Sequence, residues 1–283
     1  MMYVKMKKAL CVFFALTVLF LPSCSGKFSK DSDIHTFSYS DGSGLRLSFI
    51  SSGDFIYIND EGESTNSFTK YTSVEKPADM ISAVSSDPAA IGYTLSCYKD
   101  ESVKEVKIDG TSPTYENVKN DVYPLYCPLY LLYDDTLITD GGLDFIRYIL
   151  SSDAQQIITK NNFVSISDGT YFITSKPKGN LTLYCSYSSY FIVDKLAKAY
   201  MNLVNTGLNI EIQTSLSGAC AESAKNGGIA FTSAEIPETA LTCKLYSACG
   251  ISVIVHPSNP NDSLTSENIK EIFSGTKSKW KEI

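Results

Sequence analysis

LTLYCSYSSYFIVDKLAKAYMNLVNTGLNIEIQTSLSGACAESAK, residues 181–225, decides the fold. Residues 181–185 form a short apolar run that closes on serines, which predicts a strand. Residues 190–204 place Leu196, Tyr200 and Leu203 on one side at helical spacing, and residues 209–214 return to strand-like alternation. A second helix is expected over residues 218–225. The pattern continues with a strand over 251–255. A last helix follows, capped by Thr265, with Glu267 in its first turn, Ile269, Ile272 and Phe273 facing inward, and Gly275 at its end. Strand–helix alternation of this kind specifies an α/β chain with a largely parallel sheet.

Working back toward the N-terminus, residues 168–179 combine Gly, Pro and Lys around a small apolar patch and read as a linker. Before it, Asp140 is a candidate cap for a helix with Leu143, Ile146, Leu150, Ile157 and Ile158 near one face and a break at Ser151 and Ser152. Residues 123–133 are an apolar strand containing Pro124 and Pro128, which suits a strand that bends or crosses between domains. Residues 91–97 read as a buried strand. Pro77 opens a helix that Pro88 stops. Residues 61–72 are polar and expected as a surface loop, while 34–40 and 54–59 look like short strands.

Composition narrows the function. The chain has 283 residues, 43% hydrophobic and 19% charged, with a net charge of −7. Its only arginines are Arg46 and Arg147, so guanidinium forks for phosphate or carboxylate are scarce. An acidic chain of this kind is a poor binder of nucleic acid or anionic lipid. Lys5, Lys7 and Lys8 precede an apolar run over residues 9–21 that is short for a membrane span and reads as an export signal. Leu21-Pro22-Ser23-Cys24 resembles a bacterial lipobox, so residues 1–23 are expected to be removed and Cys24 lipidated. Six further cysteines, Cys97, Cys127, Cys185, Cys220, Cys243 and Cys249, form no CxxC and no Cys/His cluster. No metal site is expected, and disulfides and free buried thiols both stay open.

Three places share one design: a strand ends in a small, hydroxyl-rich turn and a helix follows. They are residues 41–44 with Ser43 and Gly44, residues 186–189 with Ser186, Tyr187 and Ser188, and residues 214–218 with Ser217 and Gly218. Helix starts present unpaired N–H groups and partial positive charge, so each turn is suited to an oxyanion. In open α/β sheets such turns gather at the C-terminal ends of strands. The competing reading of each serine is an ordinary helix cap.

These residues resemble a known family, the phosphate-binding lipoproteins of ABC importers, which are periplasmic-type binding proteins. SDGSGLRLSF (residues 40–49) is similar to the family's anion loop. IDGTSPTYENV (108–118), YPLYCPLYLLY (123–133) and FIRYILSSDAQQIITKNNFVSI (145–166) follow the family's C-terminal half in order. LTLYCSYSS (181–189), SLSGACAESAKNGGIAFTSAEIPE (215–238), GISVIVHPSNP (250–260) and LTSENIKEIFSG with Trp280 are similar to its N-terminal half. The halves therefore stand in circularly permuted order; a fragment of a tandem gene would give the same order.

The resemblance implies an α/β, two-lobed, type II periplasmic-binding-protein-like fold with mixed, mostly parallel sheets flanked by helices. Residues 24–127 plus 257–283 would form one lobe and residues 128–256 the other, joined by hinge strands over 123–133 and 250–256. It implies an extracytoplasmic, membrane-anchored lipoprotein that binds inorganic phosphate or a similar oxyanion and delivers it to ABC-transporter permease subunits, with no cofactor. The implied ligand residues are Ser43, Gly44, Ser186, Ser188, Ser217, Gly218 and Ser233, with Tyr39, Arg46, Tyr187 and Thr232 as auxiliaries. The chain departs from the family at Tyr39, Cys127 and Ala234, where arginines are usual, and at Leu45 and Tyr187, where threonines are usual.

Two other classes compete. A secreted hydrolase would need a base near one of the serines, and His35 and His256 are the only histidines. No GxSxG, HExxH or P-loop pattern is present, so an enzyme is not expected. A surface lipoprotein that kept the scaffold and lost phosphate, as a sensor, adhesin or antigen, is the alternative that the missing arginines favour.

Overall fold

A computed structural model describes residues 26–58, 64–68, 70–172, 176–233 and 240–283. The export signal, Cys24 and Ala234 lie outside the described residues. In chain order the elements are β1 (His35–Tyr39), α1 (Gly44–Ser52), β2 (Ile56–Ile58), β3 (Ser64–Asn66), β4 (Thr72–Val74), α2 (Pro77–Ser86) and β5 (Ala90–Leu95). Next come β6 (Lys104–Ile108), α3 (Tyr115–Lys119), β7 (Tyr126–Tyr133), α4 (Asp140–Ile149) and α5 (Ser152–Lys160). The chain ends with β8 (Gly179–Ser186), α6 (Tyr190–Val204), β9 (Leu208–Ser215), α7 (Ser217–Ala224), β10 (Ile229–Thr232), β11 (Thr242–Val255), β12 (Ser263–Leu264) and α8 (Ser266–Phe273).

The main sheet has the order β4-β1-β5-β11-β7-β10-β8-β9, with β6 also paired to β11 and β12 to β6. It is mixed: β1 runs parallel to β4 and β5, β8 runs parallel to β9 and β10, and β11 is antiparallel to β5, β6 and β7. One half thus carries β1, β4, β5, β6 and β12, and the other carries β8, β9 and β10. Two antiparallel strands, β7 and β11, run between them. β11 pairs with β7 through Thr242–Gly250 and with β5 through Ile251–Val255, so a single 14-residue strand serves both halves.

Physical reasons for these elements are local. β10, Ile229-Ala230-Phe231-Thr232, is buried throughout because it lies between β7 and β8 with α7 packed against it. Pro128 sits in β7 without breaking the ladder, because β10 covers only Tyr130–Leu132 and leaves Pro128 unflanked on that side. α4 starts one residue earlier than expected: Thr139 is the cap, its hydroxyl accepting from the Gly142 N–H at 3.1 Å, and Asp140 lies in the first turn, where the helix dipole favours it. The break at Ser151 is confirmed, with Ser151 capping α5. Thr265 and Asn268 form the capping box of α8, while Glu267 lies in its first turn.

Two sequence expectations need correction. Residues 61–72 are not all surface loop: β3 pairs antiparallel with β2, and Phe68 is buried against Phe49, Phe55 and Phe273. The polar Ser64-Thr65-Asn66 face hides a strand whose one partner is β2. The strand read from Gly250 begins at Thr242: residues Thr242–Leu245 are half-buried or exposed and form no apolar run that would mark them in the sequence.

An aromatic cluster unites both ends of the chain. Phe49 of α1 stacks on Tyr93 of β5 at 3.8 Å and 5°, and Phe55, Phe68 and Phe273 of α8 complete the group. Near the C-terminus, the Trp280 Nε1–H donates to the Ala89 carbonyl at 2.9 Å. Cys97, Cys127, Cys185, Cys220 and Cys249 are free thiols, and burial pushes the Cys127 thiol up to about 12. Among the described residues no helix is long and apolar enough to cross a membrane, and no group of three His, Cys, Asp or Glu is placed to hold a metal.

Candidate functional site

Five serines meet where β8, β9 and β10 end and α6 and α7 begin. The Ser188 hydroxyl donates to Ser233 Oγ at 2.6 Å, and Ser217 Oγ lies 3.5 Å from the same atom. Ser186 Oγ contacts Ser188 Oγ at 3.2 Å and donates to Ser189 Oγ at 2.8 Å. All five are buried. A cluster of hydroxyls this deep is costly unless each finds a partner, and here they partner one another.

α1 enters the cluster from the other half of the sheet. A Cβ on Gly44 would lie 2.5 Å from Ser233 Oγ and 2.6 Å from Ser217 Oγ, so only glycine allows this approach. One turn on, the Ser48 hydroxyl donates to the Ser233 carbonyl at 2.6 Å, and the Cys127 thiol donates to the same oxygen at 3.3 Å. Tyr98, just past β5, makes a second bridge. Its hydroxyl donates to the Tyr187 carbonyl at 2.9 Å and accepts from the Phe191 N–H at 3.1 Å. Burial holds the Tyr98 hydroxyl protonated well above the ordinary phenol range, so it stays a donor at any physiological pH.

Helix caps distinguish the helices at this point. Thr114, Thr139, Ser151 and Thr265 cap α3, α4, α5 and α8 with their side chains. The helices that start at the serine cluster, α1, α6 and α7, receive no side-chain cap from Ser43, Ser189 and Leu216. The competing reading of Ser43 as a simple cap therefore fails, and its hydroxyl is left for another role. The partial positive charge of α1 and α7 is likewise directed at the cluster.

A small cavity of about 10 Å³, room for one water-sized group, lies between these elements. Ser43, Gly44, Ser186, Tyr187, Ser188 and Ser217 line it, all of them expected from sequence. Tyr39 lines it too, but its hydroxyl donates to Thr94 Oγ1 at 3.2 Å and its burial raises its pKa, so it brings no charge. Ser233 reaches the site through its bonds to Ser188 and Ser217. Gly218 is exposed and Thr232 is buried within β10, and neither lines the cavity.

Arg46 is held elsewhere. Its Nη1 donates to Ser38 Oγ at 3.2 Å, its Nε lies 3.2 Å from Asp41 Oδ1, and its guanidinium carbon sits 4.3 Å from the Tyr71 ring centre and 4.8 Å from that of Phe68. An acidic neighbour and two aromatic faces draw it away from the cavity. His35 bonds Asp87 at 2.6 Å and His256 bonds Ser258 at 2.7 Å, and neither is among the residues that line the cavity.

Ser215 and Leu216 of the expected 214–218 turn also line the cavity, as do Glu75 and Pro77, which lie outside the three expected turns. Glu75 stands in no motif and is the one charged residue among the described lining residues.

The family model described as a PBP superfamily domain matches residues 25–153. A relative named phosphate-binding protein PstS 2, from Streptococcus agalactiae, is 29% identical over 288 residues, 99% of this chain and 98% of its own length. Its namesake from Streptococcus pneumoniae is 29% identical over 267 residues, 92% of this chain and 91% of its own. The crystal structure of a phosphate-binding protein of a phosphate ABC transporter from S. pneumoniae superposes with a TM-score of 0.69 at 28% identity, covering 89% of this chain and all of that one. Each sequence match runs through nearly the whole of both chains, so the order of segments is common to them.

Proposed function

We propose, for a chain that belongs to the PstS-like family of periplasmic-binding proteins, that it binds phosphate or a related oxyanion between the two halves of its sheet and delivers it to an ABC-importer permease. The observation that carries this reading is the meeting of two uncapped helix starts, α1 from one half and α7 from the other, at five buried serine hydroxyls of the half that holds β8, β9 and β10. Ser43, Gly44, Ser186, Ser188, Ser217 and Ser233 are the ligand residues in this reading. Hydroxyls that bond one another here turn to the oxyanion, and β7 and β11 act as hinge strands that let the halves part to admit it.

The proposal extends to the chain's setting. Residues 1–23 serve as an export signal and Cys24 as the lipid-anchored N-terminus at the outer face of the cell membrane. Residues 24–127 with 257–283 make one lobe and 128–256 the other, in permuted order relative to the wider family. The aromatic cluster that joins Phe49 to Phe273 supports that discontinuous lobe. No covalent chemistry is part of the function.

A second reading, a scaffold that has lost phosphate, draws on the lack of a cation among the described residues that line the cavity. Titration of the mature protein with phosphate, followed by thermal unfolding, separates the two. A ligand that binds only the folded state stabilises it, by about 2.7 kcal/mol at a hundred times its Kd. Phosphate is expected to raise the unfolding midpoint. Ser217→Ala, which removes one hydroxyl donor to a charged ligand, should weaken the response about tenfold or more. No midpoint shift at millimolar phosphate would favour the second reading.

A further inference from the structure

The cavity at the serines does not end at its own walls. Pro77 and Tyr187 also line a neighbouring groove of about 840 Å³, which opens between the same two halves. Rings and aliphatic side chains dominate its walls: Tyr98, Tyr187 and Tyr190 with Ile81 and Ile212. Lys76 stands with its Nζ 5.6 Å from the Tyr187 ring centre, and Asp100 supplies a second polar wall. The Tyr98 hydroxyl, bonded to the Tyr187 carbonyl, fixes the wall that the cavity and groove share.

We infer that the site takes a phosphate monoester whose phosphoryl group sits among the serines while its ring-bearing organic group lies in this groove; the inference rests on the oxyanion reading above. The described cavity offers neutral donors and one carboxylate, Glu75, so a bare oxyanion gains little charge-assisted binding there. An aromatic and aliphatic groove alongside supplies what the missing guanidinium does not, through burial of a ring face and stacking on tyrosine. Mostly apolar walls with a few polar groups suit a drug-sized organic ligand. Inorganic phosphate uses only the smaller compartment.

Phenyl phosphate and inorganic phosphate, each titrated calorimetrically into the mature protein, test this. Phenyl phosphate should bind at least tenfold more tightly. Ile212→Ala in β9 and Tyr190→Ala, a half-exposed ring, should each weaken phenyl phosphate about threefold to tenfold, and Ile212→Ala should leave inorganic phosphate unchanged. Equal affinity for both ligands, indifferent to either substitution, would overturn the inference and leave the phosphate reading standing. Absence of binding by both ligands would overturn the inference together with the reading beneath it.

Discussion

Replacing Gly44 by alanine should abolish the response to phosphate while leaving the protein folded. The new methyl carbon would lie 2.5 Å from Ser233 Oγ, 2.6 Å from Ser217 Oγ and 2.9 Å from the Ser233 carbonyl carbon. Hydroxyls rotate away from such a contact, but the backbone carbon does not. The halves must then stand apart at the point where they should close, and a ligand held by both loses the donors of one. An affinity loss of a hundredfold or more is expected, which corresponds to about 2.7 kcal/mol. Gly44 is the first residue of α1, where alanine is a good helix former, so the denaturant midpoint without ligand should hardly move. A Gly44→Ala protein that keeps the wild-type phosphate response would remove α1 from the site.

The largest effect on stability is expected from Phe49→Ala. Phe49 is fully buried, stacks on Tyr93 at 3.8 Å and contacts the rings of Phe55, Phe68 and Phe273 at 5.3 to 5.9 Å. Truncating such a ring costs about 3–5 kcal/mol, from lost burial and the cavity left behind. At about 2–4 °C per kcal/mol for a chain of this size class, the midpoint should fall by about 6–20 °C. The loss would be felt at both chain ends, because Phe273 belongs to the last helix and Phe49 to the first. Trp280, the single tryptophan, reports on that C-terminal region and should report the earlier unfolding. A loss below about 1 kcal/mol would mean that the cluster does not tie the two ends together.

Where local period and turn chemistry agree, the sequence is legible. α6 falls over the expected residues, Tyr190–Val204, because Leu196 and Tyr200 carry its helical period; Leu203, expected to face inward, is exposed, and Val204 is buried in its place. The anion turns were legible for a related reason: a strand that closes on small hydroxyl residues before a helix places them at a strand's C-terminal end, and there the structure brings them together. β6 was passed over although Lys104-Glu105-Val106-Lys107-Ile108 alternates, because its charges mask the buried Val106 and Ile108. α3 is only five residues long, too short to leave a period. What residue order does not encode is the aim of long side chains. Arg46 sits two residues from Gly44 and turns to Asp41, Tyr71 and Phe68, a choice made by tertiary neighbours. Glu75 and Pro77 reach the cavity through the packing of α2 against β5 and β1, and no local motif marks them.

The Tyr98 bridge shows how the two halves share one site. Tyr98 follows β5 in one half, and its hydroxyl joins the Tyr187 carbonyl and the Phe191 amide of the other. Ser48 crosses in the same sense to the Ser233 carbonyl. Both bonds cross between the halves, so the proposed hinge at β7 and β11 would break them when the halves part.

The central claim, that both halves close their helix starts on one oxyanion, is tested most directly by a crystal structure of the mature protein grown with saturating phosphate. The account predicts one phosphate between the halves, its oxygens about 3 Å from the hydroxyls of Ser43, Ser188 and Ser217 and from the amides at the starts of α1 and α7. Phosphate bound to one half alone, or away from these serines, would contradict it.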